Sequence, residues 1–164
     1  MYAFLNNEII PLEEARIPVT THAFHYGTGC FEGIRGNWNP EENQLYVFRP
    51  MEHFERLISS AKVLRIGVRF SAEELCGLAD KLIQRSNIKD DQYIRPVAYK
   101  SAQVVANLKA HELEDEFMML IVYFRSSTHH TSIWFTFRQS GLENYRTNEQ
   151  SITRPNRVIP TQLI

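Results

Sequence analysis

His25–Gly36 reads HYGTGCFEGIRG, with four of the chain's seven glycines, and the use made of that backbone decides the fold. The spacing is not GxxxxGK[ST], and it is not the GxGxxG that follows a strand and opens a helix onto a pyrophosphate. A nucleotide loop is therefore poorly matched. The stretch reads instead as a strand that glycine bends or narrows so that another surface can approach closely. Arg35 stands near its end and Glu32 in its middle.

Outward from this stretch the chain alternates strand and helix signals. YAFL (2–5), Asn-Asn and EIIP (8–11) read as a small hairpin. Residues 17–25 are rich in β-branched and aromatic types, and QLYVF (44–48) follows the turn-like NWNPEEN, so both are read as sheet. Pro50 suits the first turn of a helix that presents Met51, Phe54, Leu57, Ile58 and Ala61 on one face. Ser71-Ala-Glu-Glu74 is a capping box, opening a second amphipathic helix with Leu75, Leu78, Ala79, Leu82 and Ile83 inward. QYIRPVAYK (92–100) and EFMMLIVYF (116–124) read as buried strands, the second too uniformly apolar to have a solvent face. The pattern predicts an α+β domain, a mixed or antiparallel sheet covered by two helices. A boundary is expected at 125–132, a polar loop, with 1–124 as one domain and 133–164 as the incomplete start of another.

With 164 residues, 43% apolar and 23% charged, the chain has enough apolar side chains for one substantial core. Eighteen basic against nineteen acidic residues leave a formal charge of −1, which gives no general attraction for nucleic acid or an anionic membrane. Neither partner is expected. Cys30 and Cys76 form no CxxC, and the six histidines form no metal-binding spacing, so no metal site is expected. The N-terminus lacks signal-peptide character and FMMLIVYF is too short to span a bilayer, so a cytoplasmic protein is expected.

Three arginines carry the candidate chemistry. Arg95 lies inside the strand YIRPVAY, where a guanidinium must find a partner or an edge. Arg56 lies between apolar positions of the first helix, and Arg35 follows the glycines. Glu32 is a possible partner for them, which would make the cluster structural. Tyr26, Tyr93, Tyr99 and Tyr123 are wall or core residues.

PLEEARIPVTTHAFHYGTGCFEGIRG, then LYVFRPMEHFERLISSAKVLRI and YIRPVAYK, resemble the N-terminal part of the fold-type IV aminotransferases that use pyridoxal 5'-phosphate, and most closely the branched-chain amino-acid aminotransferases. The resemblance runs from about residue 2 to residue 100 and weakens towards 124. It implies the small N-terminal domain of a dimeric enzyme of amino-acid biosynthesis that moves an amino group between Leu, Ile or Val and 2-oxoglutarate. It implies that Arg56 of HFERL holds the cofactor phosphate, that Phe31, Gly33, Arg35, Tyr93 and Arg95 shape the substrate pocket, and that Tyr26 reaches a neighbouring subunit's site. The three arginines are expected on one face of the sheet. SITRPNRVIPTQLI is similar to the segment leading to the family's Schiff-base lysine, and by that register the lysine position falls on Ile164. The expectation is a chain inactive alone, with catalytic residues none and cofactor binding reduced. Two other readings stay open: a non-catalytic binding or structural dimer derived from the family, and a D-amino-acid aminotransferase or aminodeoxychorismate lyase built on the same scaffold.

Overall fold

The computed structural model of the protein describes residues 1–123 and the backbone of 159–160. The expected boundary at 125–132, the segment beyond it and Ile164 lie outside the described residues.

The first strands are β1 (Tyr2–Leu5) and β2 (Glu8–Pro11). They form the expected hairpin because Asn6 and Asn7 both accept left-handed backbone, with φ of 51° and 63°, as a two-residue hairpin turn requires. Two long strands, β6 (Gln92–Lys100) and β7 (Asp115–Tyr123), pair antiparallel along their whole lengths, from Gln92 opposite Tyr123 to Lys100 opposite Asp115. β1 joins the free edge of β7.

The other edge of β6 takes the glycine stretch. β3 (Gly29–Phe31) pairs with residues 97–99, and β4 (Ile34–Asn39) pairs with residues 92–94 in the same register. Between them Glu32 and Gly33 pass Pro96 and Arg95. Pro96 has no N–H to give, so only the Glu32 N–H to Pro96 carbonyl bond, 3.1 Å, is made there. β3 and β4 therefore act as one strand with a gap in its ladder. β5 (Gln44–Val47) pairs with β4, and β8 (Ile159–Pro160) pairs with β5. The sheet order is β2-β1-β7-β6-β4-β5-β8, antiparallel throughout, with β3 beside β6.

Two helices cover one face. α2 (Pro50–Val63) starts on its proline and buries Phe54, Leu57 and Ala61. α3 (Ala72–Ser86) starts at the capping box: Ser71 Oγ accepts from the Glu74 N–H, and Glu74 returns a carboxylate to the Ser71 N–H at 2.7 Å. Ile34, Leu45, Val47, Ile94, Phe117, Met119 and Ile121 of the sheet meet Phe54, Leu57, Leu75, Ala79 and Leu82 of the helices in one core. Alternation along each strand sends the intervening side chains to the opposite face. No helix among the described residues is long and apolar enough to cross a membrane.

Two expectations need correction. Residues 17–25 are not a strand: they run as a loop into a short helix, α1 (His22–Tyr26), which ends at Gly27 with φ 64°. Contacts remote in sequence decide this. The His22 N–H donates to the Ala102 carbonyl, and its buried ring donates from Nε2 to the Asn107 carbonyl and accepts at Nδ1 from Thr28, both at 2.8 Å. β7 is not buried on both faces either. Phe117, Met119 and Ile121 are enclosed, whereas Met118, Leu120 and Val122 are half-buried on the face the helices leave open.

Candidate functional site

On the open face the alternation of the glycine strand brings Phe31, Gly33 and Arg35 to the same side as Tyr93 and Arg95 of β6. Arg35 stands opposite Tyr93 in the ladder. Arg95 donates from Nη2 to the Tyr93 hydroxyl at 2.6 Å, and its guanidinium lies 4.0 Å from the centre of the Phe31 ring. Its Nε is buried without a partner. Arg95 makes no ion pair with any described residue. A cation gripped by a ring face and a hydroxyl, with a desolvated N–H left over, is prepared for an incoming carboxylate.

Gly33 is needed at this point because of close approach. A Cβ there would lie 2.5 Å from the Tyr93 hydroxyl oxygen, so any side chain would push Tyr93 away from Arg95. Arg35 is more exposed and stands at the rim, paired with Asp91 at 2.9 Å, while the other oxygen of Asp91 accepts the Trp38 N–H. Beside Phe31 the face sinks into an apolar cavity of about 480 Å³, walled by Ile17, Val19, Phe24, Val97 and Met118.

Arg56 is elsewhere. Glu32 shares its strand face with Cys30 and Ile34, which pack on the helix side, and so its carboxylate projects towards α2. There it accepts from Arg56 Nε and Nη2, both at 2.6 Å, and faces His53 Nδ1 at 2.9 Å. The hydrogen bond from Arg56, and after it that from His53, hold the Glu32 carboxyl below its ordinary value against the burial that pushes it up. The same pairing raises the Arg56 guanidinium further. The expected clustering of three arginines on one face thus holds for Arg35 and Arg95 and not for Arg56, because strand alternation turns Glu32, its partner, away from them.

Tyr26 is exposed but tied to its own chain, its hydroxyl accepting the Ala106 N–H at 2.7 Å and its ring centred 4.4 Å from that of His22. Sequence reading missed His22, whose partners Ala102 and Asn107 no local pattern reveals. It also missed Lys100, buried and paired with Asp115 at 2.6 Å. His53 was missed as well, although its place three residues before Arg56, on the same helix face, is a signal that could have found it.

An antiparallel sheet closed by two helices on one side is the small-domain architecture of the fold-type IV pyridoxal phosphate enzymes. No family model matches the chain. It is 48% identical over 98 residues to a probable branched-chain-amino-acid aminotransferase of Aquifex aeolicus, a match that covers 60% of this chain and 32% of that protein. The fold superposes on the branched-chain aminotransferase of Thermoproteus uzoniensis with norvaline with a TM-score of 0.70 and 38% identity, covering 76% of this chain and 41% of that one. It superposes on the PLP-form of the Thermobaculum terrenum enzyme with a TM-score of 0.66 and 31% identity, covering 76% and 40%. The chain spans about a third of the length of the curated relatives it matches. In sequence and fold, the described residues are those of the N-terminal domain of the branched-chain aminotransferase family.

Proposed function

We propose that the chain forms the small domain of a pyridoxal phosphate-dependent aminotransferase that exchanges an amino group between a branched-chain amino acid and 2-oxoglutarate, with the division into 1–124, a 125–132 linker and a following segment. The observation that carries this reading is Arg95 stacked on Phe31 and bonded to Tyr93 beside an apolar cavity. A carboxylate needs the cation; an alkyl side chain needs the apolar wall. Tyr93 and Phe31 fix the guanidinium, Gly33 leaves room for it, and Arg35 adds positive charge at the rim. Tyr26 reaches a neighbouring subunit's site in this reading, which makes the working form a homo-oligomer.

The cofactor fits in part. Bound pyridoxal phosphate supplies the electron sink into which the substrate's Cα–H bond electrons are drawn. Arg56 offers a phosphate the edge of its guanidinium that Glu32 does not use, since Nη1 makes no hydrogen bond to a described residue. Glu32 and His53 orient that fork. The decisive measurement is binding of pyridoxal phosphate against unphosphorylated pyridoxal by fluorescence titration. The phosphorylated form should bind about tenfold more tightly, and Arg56→Ala should abolish that preference, because a charge-assisted bond to phosphate is worth about 1.5–3 kcal/mol. Equal binding of the two forms, or a preference that survives Arg56→Ala, rejects the assignment.

A second reading is favoured by one observation. Val19 and Phe24 are 78% and 77% exposed on the open side, more apolar surface than a finished face carries. In that reading the face is a dimerisation surface without catalysis. A concentration-dependent dimer by light scattering, together with no pyridoxal phosphate binding, would select it.

A further inference from the structure

Glu32 is the most enclosed member of the charged group beside α2: its side chain is 12% exposed, against 21% for His53 and 59% for Arg56. A carboxylate so far out of water must keep an N–H partner, whereas a guanidinium at the surface can exchange one partner for another at small cost. Two partners are within reach of Glu32.

Arg56 closes on it with Nε and Nη2, and His53 Nδ1 stands 2.9 Å from Glu32 Oε2 and 2.9 Å from Arg56 Nη2. One ring nitrogen can donate to the carboxylate or accept from the guanidinium, and not both at once. When Nδ1 carries the proton it holds Glu32 by itself, and Arg56 Nη2 then faces an N–H that does nothing to keep the guanidinium in place. The next acid on this turn of α2, Glu52, is taken by Arg49 at 2.8 Å. Among the described ion pairs, Glu32 is the one anion on Arg56.

From this shared nitrogen we infer that Glu32 and His53 form an exchange clamp that sets the phosphate affinity of Arg56: Glu32 competes with an incoming phosphate for the guanidinium, and His53 takes over the enclosed carboxylate when Arg56 turns outward. Neither touches the phosphate; both are positioning residues that act through Arg56. The inference rests on the reading of Arg56 as the phosphate-holding residue, and adds that its grip is a balance between two anions, one of them part of the chain. A like charge beside a phosphate dianion weakens its binding, and it weakens binding less when the carboxylate has a second donor to turn to. The two neighbours therefore have opposite effects. Loss of the Glu32 charge strengthens phosphate binding, and loss of the His53 donor weakens it.

Pyridoxine 5'-phosphate, which has an alcohol in place of the aldehyde and so forms no adduct with lysine, is titrated into the full chain at about pH 7.5, where its phosphate is dianionic. Pyridoxine is the matched probe without phosphate. Binding is read by calorimetry and by the NMR shift of the Arg56 Nε–H. Against the parent chain, Glu32→Gln should tighten the phosphorylated probe about tenfold, and His53→Ala should weaken it about fivefold. His53→Asn, whose amide N–H replaces Nδ1–H, should restore the parent affinity. Within Glu32→Gln, the added change His53→Ala should have no effect, because no carboxylate charge is left to hold. Arg69→Ala, an arginine paired with Glu116, should leave the affinity within about twofold. Circular dichroism melts check that each variant is folded; if Glu32→Gln does not fold, the two His53 variants still decide. Weaker binding in Glu32→Gln would overturn the inference, since Glu32 would then aim Arg56 rather than compete for it. His53→Ala binding like the parent would overturn it too, as would a loss on His53→Ala in both backgrounds, which would make His53 a direct phosphate ligand. Equal binding of the two probes by the parent and by Glu32→Gln, or a phosphate preference that survives Arg56→Ala, would instead reject the phosphate reading itself and the inference with it.

Discussion

The two faces of the sheet are made from the same strands and differ in almost every physical respect. Under α2 and α3, Ile34, Ile94, Met119 and Ile121 are at most 1% exposed, and they meet only other core residues. One residue along each strand, the side chains are Phe31, Arg35, Tyr93, Arg95, Met118 and Leu120, half-buried or exposed, with charges held by rings, hydroxyls and a rim carboxylate. The closed face carries the stability of the domain. The open face keeps apolar area and cationic charge available, which costs stability and leaves room for ligands and partners.

The sharpest way to break this contrast is to truncate one large side chain on each face. Leu57→Ala, fully enclosed under the sheet, should lower the unfolding free energy by about 3 kcal/mol, the transfer loss plus a cavity. Phe31→Ala, at 59% exposure, should cost less than about 1 kcal/mol. Urea unfolding of both variants checks it. Similar losses would mean that the open face is as well packed as the closed one.

Glycines give a finer version of the same contrast. A Cβ at Gly36 would meet the Leu45 side chain at 3.0–3.2 Å inside the closed core, where nothing can move aside, so Gly36→Ala should cost about 1–3 kcal/mol by overpacking. A Cβ at Gly33 meets the end of Tyr93, and that ring can swing outward. Gly33→Ala should therefore cost under about 1 kcal/mol while breaking the Tyr93–Arg95 contact. Thermal melts measure the first effect. NMR shift changes confined to the strands around residues 31–35 and 93–97 would report the second.

How much of this was legible in the sequence follows the range of the interactions. The Ser71 capping box, the Asn6-Asn7 turn and the Pro50 helix start are each set within four residues, and all were readable. The strand with its gap at Glu32–Gly33 was half readable: four glycines announced close approach, but nothing local showed that Pro96 would face them. Residues 17–25, a loop and most of a short helix, were misread as sheet because propensity favoured it, and the contacts that override propensity come from Thr28, Ala102 and Asn107. The uniform apolar run of β7 suggested two covers where the described residues provide one. For the site, Arg35 and Arg95 could be foreseen near each other; the turning of Glu32 towards Arg56 depended on strand register, which composition does not fix.

That register makes a last, smaller prediction about where the two faces meet. Glu32 is the one acid in the glycine strand, and it is held by Arg56 and His53 on the helix side. Its carboxyl titrates below its ordinary value in the folded chain, so in the window between the two values the unfolded chain binds more protons, and stability rises with pH. The contribution is complete above the unfolded-state value and is lost as pH falls through the folded one. Glu32→Gln removes the titration and keeps the size of the side chain. Above the ordinary carboxylate range the variant should melt below the parent chain by a few degrees, and the two melting curves should converge as pH falls through the lowered folded-state value. A gap that persists unchanged at low pH would mean that the loss in Glu32→Gln does not come from the charge of the carboxylate held by Arg56 and His53.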